Sequence, residues 1–187
     1  MNRKADVDEL LVEVRKICDE TPRVFGQLTT DQLNWKPGAD RWSVAQCFDH
    51  LITANKPFFG IAQSVLDGKK QPNLWERVPL LPGVWGKLMI KSLDPATTRK
   101  LKAPEKLQPS TSSIGGDIVN DFVQQQTEII DCFEATRNLN IEHIIITSPV
   151  TNLITYSLLD AYRIIVVHEK RHILQAERVT HEAAFPK

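Results

Sequence analysis

The chain of 187 residues is 42% hydrophobic, which is enough to build a core without stabilising disulfides or metal ions. We therefore expect one domain over residues 1–187. Its 23 basic and 23 acidic residues cancel, so the overall charge gives no reason to expect nucleic acid or an anionic membrane as a partner. No apolar run approaches the roughly 18 residues of a membrane-spanning helix, and none follows the first basic residues. The odd number of widely spaced cysteines is typical of reduced thiols, so we expect a cytoplasmic protein; these residues are Cys18, Cys47 and Cys132.

Two stretches in the first third of the chain have the apolar spacing of amphipathic helices. The first begins near Val7, and its pattern continues toward Leu28. The second begins at Ser43, which forms the signature of a capping box with Gln46, and its apolar stripe ends before Asp67. These two stretches are the first two predicted long helices.

Residues 67–113 have a different composition, with six of the eleven prolines and nine basic against four acidic residues. The segment predicts a long basic crossover that holds a short helix around 84–93. Long connections often serve as lids or binding loops, although a plain solvated connector is an equal alternative.

Two further helices are predicted in the second half of the chain. The third spans about 114–136, and the fourth spans Ser157 to about Thr180 with Asp160 completing a cap signature. Between them, the Ile and Thr content of residues 141–155 favours a short extended segment. Four long amphipathic helices and a long crossover predict an all-α four-helix bundle.

The fourth helix carries the most informative pattern in the chain, because polar residues occupy positions that should face the core. Buried polar groups cost roughly 1 to 3 kcal/mol each unless a partner satisfies them. Two histidines four residues apart lie on one helical face and can direct their ring nitrogens at one ion. The core-facing positions of this helix are Leu158, Ala161, Ile165, His168, His172, Gln175 and Val179.

A third ligand has to come from another element, and His50 on the second helix is the best candidate, since it flanks the core-facing Leu51. We expect His143 and His181 to be surface residues. Cys47 lies three residues before His50 and is expected to belong to the core. The sequence therefore predicts a divalent metal bound by His50, His168 and His172.

Residues 168–172 also read H-E-x-x-H, the zincin protease signature in which the glutamate acts as general base. The downstream third ligand of zincins is missing, because Gln175 and Arg178 stand where metzincins have glycine and histidine. Glu169 lies about 100° around the helix from His168 and is expected to be solvated. It is therefore only a weak catalytic candidate, and the catalytic residues stay unknown.

The motifs together resemble one family, the DinB/YfiT-like superfamily, to which metalloenzyme activity is ascribed. They are Leu33–Pro37, Arg41–Gln46, Asp49–Leu51 and His168–His172 with Gln175. The resemblance implies a bundle with long crossovers in up-up-down-down order, a zinc or nickel site at the three histidines, and a homodimer. Members of known activity are mostly transferases or isomerases that use thiols such as bacillithiol or mycothiol, and others are called hydrolases. This chain departs from many members before the last helix, where it has Ser148–Asn152 in place of a histidine-proline and a glycine.

Three neutral histidines leave a bound cation its full charge and an open coordination position. The leading hypothesis is a thiol-dependent S-transferase that acts on an electrophilic small molecule, with Lys87 and Lys91 favouring anionic groups near the mouth of the site. Metal-bound hydroxide acting in a hydrolase is the alternative. A non-enzymatic protein with a structural metal or a dimerising role is the third hypothesis. The role of Gln175, either to orient an imidazole or simply to end the buried stripe, stays open.

Overall fold

A computed structural model describes residues 3–78, 80–97, 103–111 and 113–187 of the chain. The helices are α1 (Arg3–Phe25), α2 (Thr30–Asn34), α3 (Val44–Leu66), α4 (Leu81–Leu93), α5 (Ile118–Thr136) and α6 (Leu158–Thr180). Two short strands, β1 (Ile145–Thr147) and β2 (Thr155–Ser157), pair antiparallel, and 3-10 turns lie at Trp75–Arg77 and Glu105–Leu107. The predicted helical class is confirmed, since α1, α3, α5 and α6 pack around a shared core. Within the described residues, no helix combines the length and apolar character needed to cross a bilayer.

Side-chain pairs between neighbouring helices give their relative directions. Arg137 at the end of α5 pairs with Asp8 in α1, whereas Glu134 earlier in α5 pairs with Arg15 later in α1, so these helices are antiparallel. Helices α1 and α6 are parallel. An ion pair joins Asp6 to Arg163, and a second joins Glu13 to Lys170, which lie seven residues later in their respective helices.

The same reasoning shows that α3 and α5 are parallel, since Phe48 packs on Phe122 and Asn55 further along α3 donates to Gln125. The bundle therefore runs up-down-down-up, and the expected up-up-down-down order is wrong. The expected order needs two long crossovers, and this chain has one, between α3 and α5. The connection from α1 to α3 instead reverses direction at α2 and brings Phe25 onto Phe48, with ring centroids 5.1 Å apart.

The capping signals predict the helix starts well. Ser43 and Gln46 form a capping box at the start of α3, in which each side chain accepts from the other residue's backbone N–H. Ser157 accepts from the backbone N–H of Asp160 at the start of α6. These caps satisfy backbone N–H groups of the first turns and fix the residues at which α3 and α6 begin.

The crossover is a folded part of the protein where it is described. It contains α4, as predicted, and α4 packs against α6 and β2. Further along, the backbone N–H of Ser110 donates to Asp49 at 2.7 Å, and Gln46 donates to the Ser110 carbonyl at 2.9 Å. The crossover is thus tied to the first turns of α3, next to His50.

The segment between α5 and α6 confirms the prediction of extended structure within 141–155, although the hairpin continues to residue 157. Ile146 pairs with Tyr156, and both side chains are buried. The hairpin leads directly into α6, because Ser157 ends β2 and caps the helix. This arrangement anchors the start of the helix that carries two of the three histidines.

Candidate metal centre

Three histidine side chains from two helices meet inside the bundle. His50 comes from α3, and His168 and His172 come from α6. Their ring centroids are 4.6 to 5.0 Å apart, and the Nε2 atoms of His50 and His168 are separated by 3.1 Å. One ligand atom from each ring lies within 4.8 Å of the other two. The structure thus brings together the three residues that the helical spacing selects.

Hydrogen bonds on the outer side of two rings fix which nitrogen faces inward. Nδ1 of His50 lies 2.6 Å from the Leu107 carbonyl oxygen. Since a carbonyl oxygen can only accept, Nδ1 is the donor and carries the proton of this ring. Nδ1 of His172 donates to Oε1 of Gln175 at 3.1 Å. Each ring therefore keeps an unprotonated Nε2, the atom that can bind a metal, and the contact favours the orienting role for Gln175.

The surroundings keep the three imidazoles neutral. Burial lowers the pKa of His50, which is 2% exposed, despite the opposing effects of the Leu107 hydrogen bond and Asp49. Burial, followed by the charges of the other two histidines and Arg171, holds the pKa of His168 well below its ordinary value. Burial and His50 lower the pKa of His172 to about 3. Neutral rings are the form that coordinates a cation.

The cluster has the dimensions of a three-histidine metal site. Zinc binds imidazole nitrogen at about 2.0 to 2.1 Å, so two nitrogens of a tetrahedral site lie about 3.3 to 3.4 Å apart, close to the 3.1 Å between His50 and His168. In the described part of the chain, no fourth histidine, cysteine or carboxylate joins the cluster. Three nitrogen donors without a fourth protein donor are typical of an open site rather than a closed structural one.

The histidines lie on the wall of a cavity of about 1260 Å³. Helices α3 and α6 form one side, and the crossover closes the other with Met89, Leu93 and Leu107. The guanidinium of Arg171 donates to the carbonyls of Asp94 and Thr97, which holds the end of α4 against α6. The second half of the crossover is therefore a cavity wall, from Met89 to Thr97 and from Ala103 to Thr111, as the binding-loop alternative predicts.

The expectation that Lys87 and Lys91 favour anionic groups near the mouth of the site is wrong. Both are exposed on α4 and do not line the cavity, because the opposite face of that helix packs inward. Among the described residues, the lysines and arginines that do line it all come from outside the crossover; they are Lys36, Arg41, Arg171 and Arg178.

The expectation that Glu169 is solvated is also wrong. Its side chain is 0% exposed, and its Oε1 accepts from Asn55 at 2.8 Å and from Gln126 at 2.9 Å. Burial raises the pKa of Glu169 to about 7, and the two amide donors oppose that shift. Glu169 does not line the cavity, so the geometry gives no support to the zincin general-base role.

Trp42 is a site residue to which the sequence analysis gave no role, although it lies within the motif Arg41–Gln46. Its indole lies over both His172 and His50, with ring centroids 5.4 and 4.9 Å away. The available signal was its position directly before the N-cap, which brings the ring beside the first turns of α3, where His50 lies.

The remaining candidates lie where they were expected. His143 and His181 are exposed and do not belong to the cluster, and Cys47 is fully buried in the core. The three cysteines are free thiols; Cys18 and Cys132 are partly buried.

The fold and the site define a helical-bundle protein with a histidine cluster that could hold a metal ion on the wall of a cavity. The chain belongs to the DinB superfamily, since the family model of that description matches residues 13–176. The match includes all three histidines and confirms the resemblance. No curated protein and no solved structure gives a significant match.

Proposed function

We propose that the protein is a divalent-metal enzyme, with zinc or nickel bound by His50, His168 and His172, that transfers a low-molecular-weight thiol to an electrophilic small molecule. The observation that carries the proposal is the convergence of three neutral imidazoles on the wall of a cavity large enough for two small reactants. Clefts of about 300 to 1,000 Å³ are usual for small-molecule sites.

A cation at the cluster would supply Lewis acidity, which lowers the pKa of a coordinated thiol or water. Groups of the protein orient the site: the backbone carbonyl of Leu107 and the side chain of Gln175 hold two imidazoles by their outer nitrogens, and the Trp42 indole covers two of the rings. Arg171 adds positive charge beside the cluster.

The proposed reaction is a nucleophilic substitution or addition at an electrophilic carbon. The thiol loses its proton to solvent, and its sulfur forms the new bond to carbon. In a substitution the leaving group departs with the bonding electrons, and in an addition the electron pair of the broken π bond takes up a proton from solvent. The apolar wall of the cavity would bind the organic part of the electrophile and limit competition from water.

Two other hypotheses make different demands on the same site. Hydrolysis needs only an activated water, and turnover would then be independent of thiol. A structural metal needs a closed site, and the lack of a fourth donor among the described residues favours catalysis over this hypothesis.

The first experiment measures the metal content and zinc affinity of the purified protein. We expect one divalent ion per chain, lost in His50→Ala, His168→Ala and His172→Ala. His143→Ala and His181→Ala are matched controls, because both histidines are exposed and outside the cluster. Equal metal content in the cluster variants and the controls would overturn the metal site.

The second experiment follows consumption of the electrophile monochlorobimane with and without bacillithiol, mycothiol or glutathione. We expect metal-dependent turnover with at least one thiol. Turnover that is unaffected by any added thiol would overturn the transferase proposal and favour hydrolysis.

A further inference from the structure

Positive charge collects at one end of the cavity, although the whole chain has no net charge. Four cationic side chains line the cavity, whereas Asp40 is the single carboxylate among the described lining residues. The cationic residues are Lys36, Arg41, Arg171 and Arg178.

Three of these cations lie at the mouth, beyond His172. The loop that carries Lys36 and Arg41 is held beside the end of α6 by an ion pair between Arg41 and Glu182 at 2.5 Å. Arg178 also lies at this end, six residues after His172, which is about 9 Å along the helix axis. The mouth therefore has a cationic rim, defined as Lys36, Arg41 and Arg178.

Two members of the rim are not held in an ion pair with a carboxylate among the described residues. Arg41 is paired with Glu182, but in the described part of the chain neither Lys36 nor Arg178 forms an ion pair with a carboxylate. Lys36 donates to the carbonyl of Ala39 at 3.1 Å, which holds its ammonium group near the rim without neutralising it.

The wall between the rim and the histidines is mainly apolar. Trp42 lies between them, with its indole on His172, and Leu174 and Val179 also line the cavity. A ligand that spans this distance would contact apolar groups along its body and meet the cationic rim at its outer end, with Arg171 beside the histidines at its inner end.

We infer that the cavity selects a small organic carboxylate whose acidic group is held by Lys36 and Arg178 while its apolar body extends along Trp42 toward the histidine cluster. The inference rests on the proposed function in one respect, which is that the bound carboxylate would be a reactant of the proposed enzyme. The anion preference itself belongs to the metal-free protein and can be tested without turnover.

The test compares two fluorescent probes with the same fused rings, anionic 8-anilinonaphthalene-1-sulfonate and neutral N-phenyl-1-naphthylamine, on protein treated with chelator and on protein reloaded with zinc. The wild type is expected to prefer the anionic probe at low salt, and to lose that preference as salt rises. Lys36→Gln and Arg178→Gln should each weaken binding of the anionic probe about two- to fivefold and leave binding of the neutral probe unchanged.

Lys87→Gln and Lys91→Gln are matched controls, because they remove the same charge from exposed positions outside the cavity. If the control substitutions weaken binding of the anionic probe as much as the rim substitutions do, the inference is wrong. It is also wrong if the rim substitutions weaken binding of both probes equally. Failure of zinc binding with the anion preference intact would count against the proposed function alone.

The acidic group is identified by displacement of the anionic probe with octanoate, octyl phosphate and octanol, which share an apolar chain. We expect octanoate to displace best and to lose its advantage over octanol in the Lys36→Gln/Arg178→Gln double variant. Stronger displacement by octyl phosphate would replace the carboxylate by a phosphate monoester, and equal displacement by all three would overturn the inference.

Discussion

The indole of Trp42 is stacked on the imidazole of His172, with ring centroids 5.4 Å apart and 23° between the ring planes. This contact restrains the ring from the face, whereas Gln175 restrains it from the edge at Nδ1. A ligand held in its binding orientation loses less freedom when the metal binds, so Trp42 should contribute to affinity without touching the ion.

We predict that Trp42→Leu weakens zinc binding by about tenfold, the scale at which loss of a ligand's supporting contact is felt. Trp42→Phe, which keeps an aromatic face, should recover part of the loss. Competition with a chromophoric chelator measures the affinity. Trp75→Leu is the control, since that ring is 49% exposed and outside the cavity. Unchanged affinity in Trp42→Leu would show that stacking does not orient the ligand.

Gln175 provides a second prediction, which decides between its two proposed roles. If its carbonyl oxygen orients His172, Gln175→Leu should lower zinc affinity about tenfold, because the imidazole loses its acceptor at Nδ1. Gln124→Leu on the exposed side of α5 is the control. Equal zinc affinity in Gln175→Leu and wild type would mean that Gln175 merely ends the buried stripe.

The histidine cluster could be predicted because it depends on local geometry. The four-residue spacing of His168 and His172 fixes their common face, and the apolar stripe of α3 turns His50 inward beside Leu51. Neither inference requires knowledge of which helices are neighbours. The order of helix directions does require that knowledge, and the prediction of an up-up-down-down order was wrong.

Glu169 shows what the spacing could not predict. An amphipathic helix was assumed to have one solvated face, but α6 contacts α1, α3, α4 and β2. Donors from Asn55 on α3 and Gln126 on α5 meet the carboxylate from two sides. Burial at this position depends on contacts between residues far apart in the chain, and a single sequence gives no measure of them.

The low pKa values of the histidines predict the pH dependence of metal binding. Protons compete with a metal only below the pKa of each ligand, and burial lowers the pKa of His172 from 6.5 to about 3. Zinc affinity should therefore stay nearly constant from pH 8 down to about pH 6, where exposed histidines already begin to protonate. Titrations with zinc in non-coordinating buffers check this. A steep loss of affinity that begins near pH 6.5 would contradict the predicted shifts.

Glu169 predicts a dependence of stability on pH in the metal-free protein. Its pKa is raised from 4.5 to about 7, so the folded state holds a proton that the unfolded state releases between these values. Its stabilising contribution is complete below pH 4.5 and is lost as pH rises through 7. Glu169→Gln does not titrate and should exceed the wild type in unfolding free energy above pH 7 by an amount on the order of 3 kcal/mol.

Urea denaturation with chelator at pH 5 and pH 8 measures this difference. The histidines are present in both proteins, so their acid destabilisation cancels in the comparison. Oε2 of Glu169 lacks a hydrogen-bond partner among the described residues, which agrees with a costly buried carboxylate. A difference between the two proteins that is the same at both pH values would contradict the raised pKa.

Two glycines of α4 test how the crossover is held against the bundle. A Cβ added at Gly86 would lie 2.5 Å from Oδ2 and 2.9 Å from Cγ of Asp160, a side chain already engaged with Arg163, whereas a Cβ at Gly83 would meet nothing within 4 Å. Gly86→Ala should therefore destabilise the protein by about 1 to 3 kcal/mol, because α4 has to move away from α6.

Gly83→Ala should stabilise it by up to about 1 kcal/mol through helix propensity alone. Urea denaturation measures both, and binding of 8-anilinonaphthalene-1-sulfonate reports whether the cavity wall formed by Met89 and Leu93 has moved. If the two variants change stability in the same direction, then the close approach of α4 to Asp160 does not hold the crossover in its position.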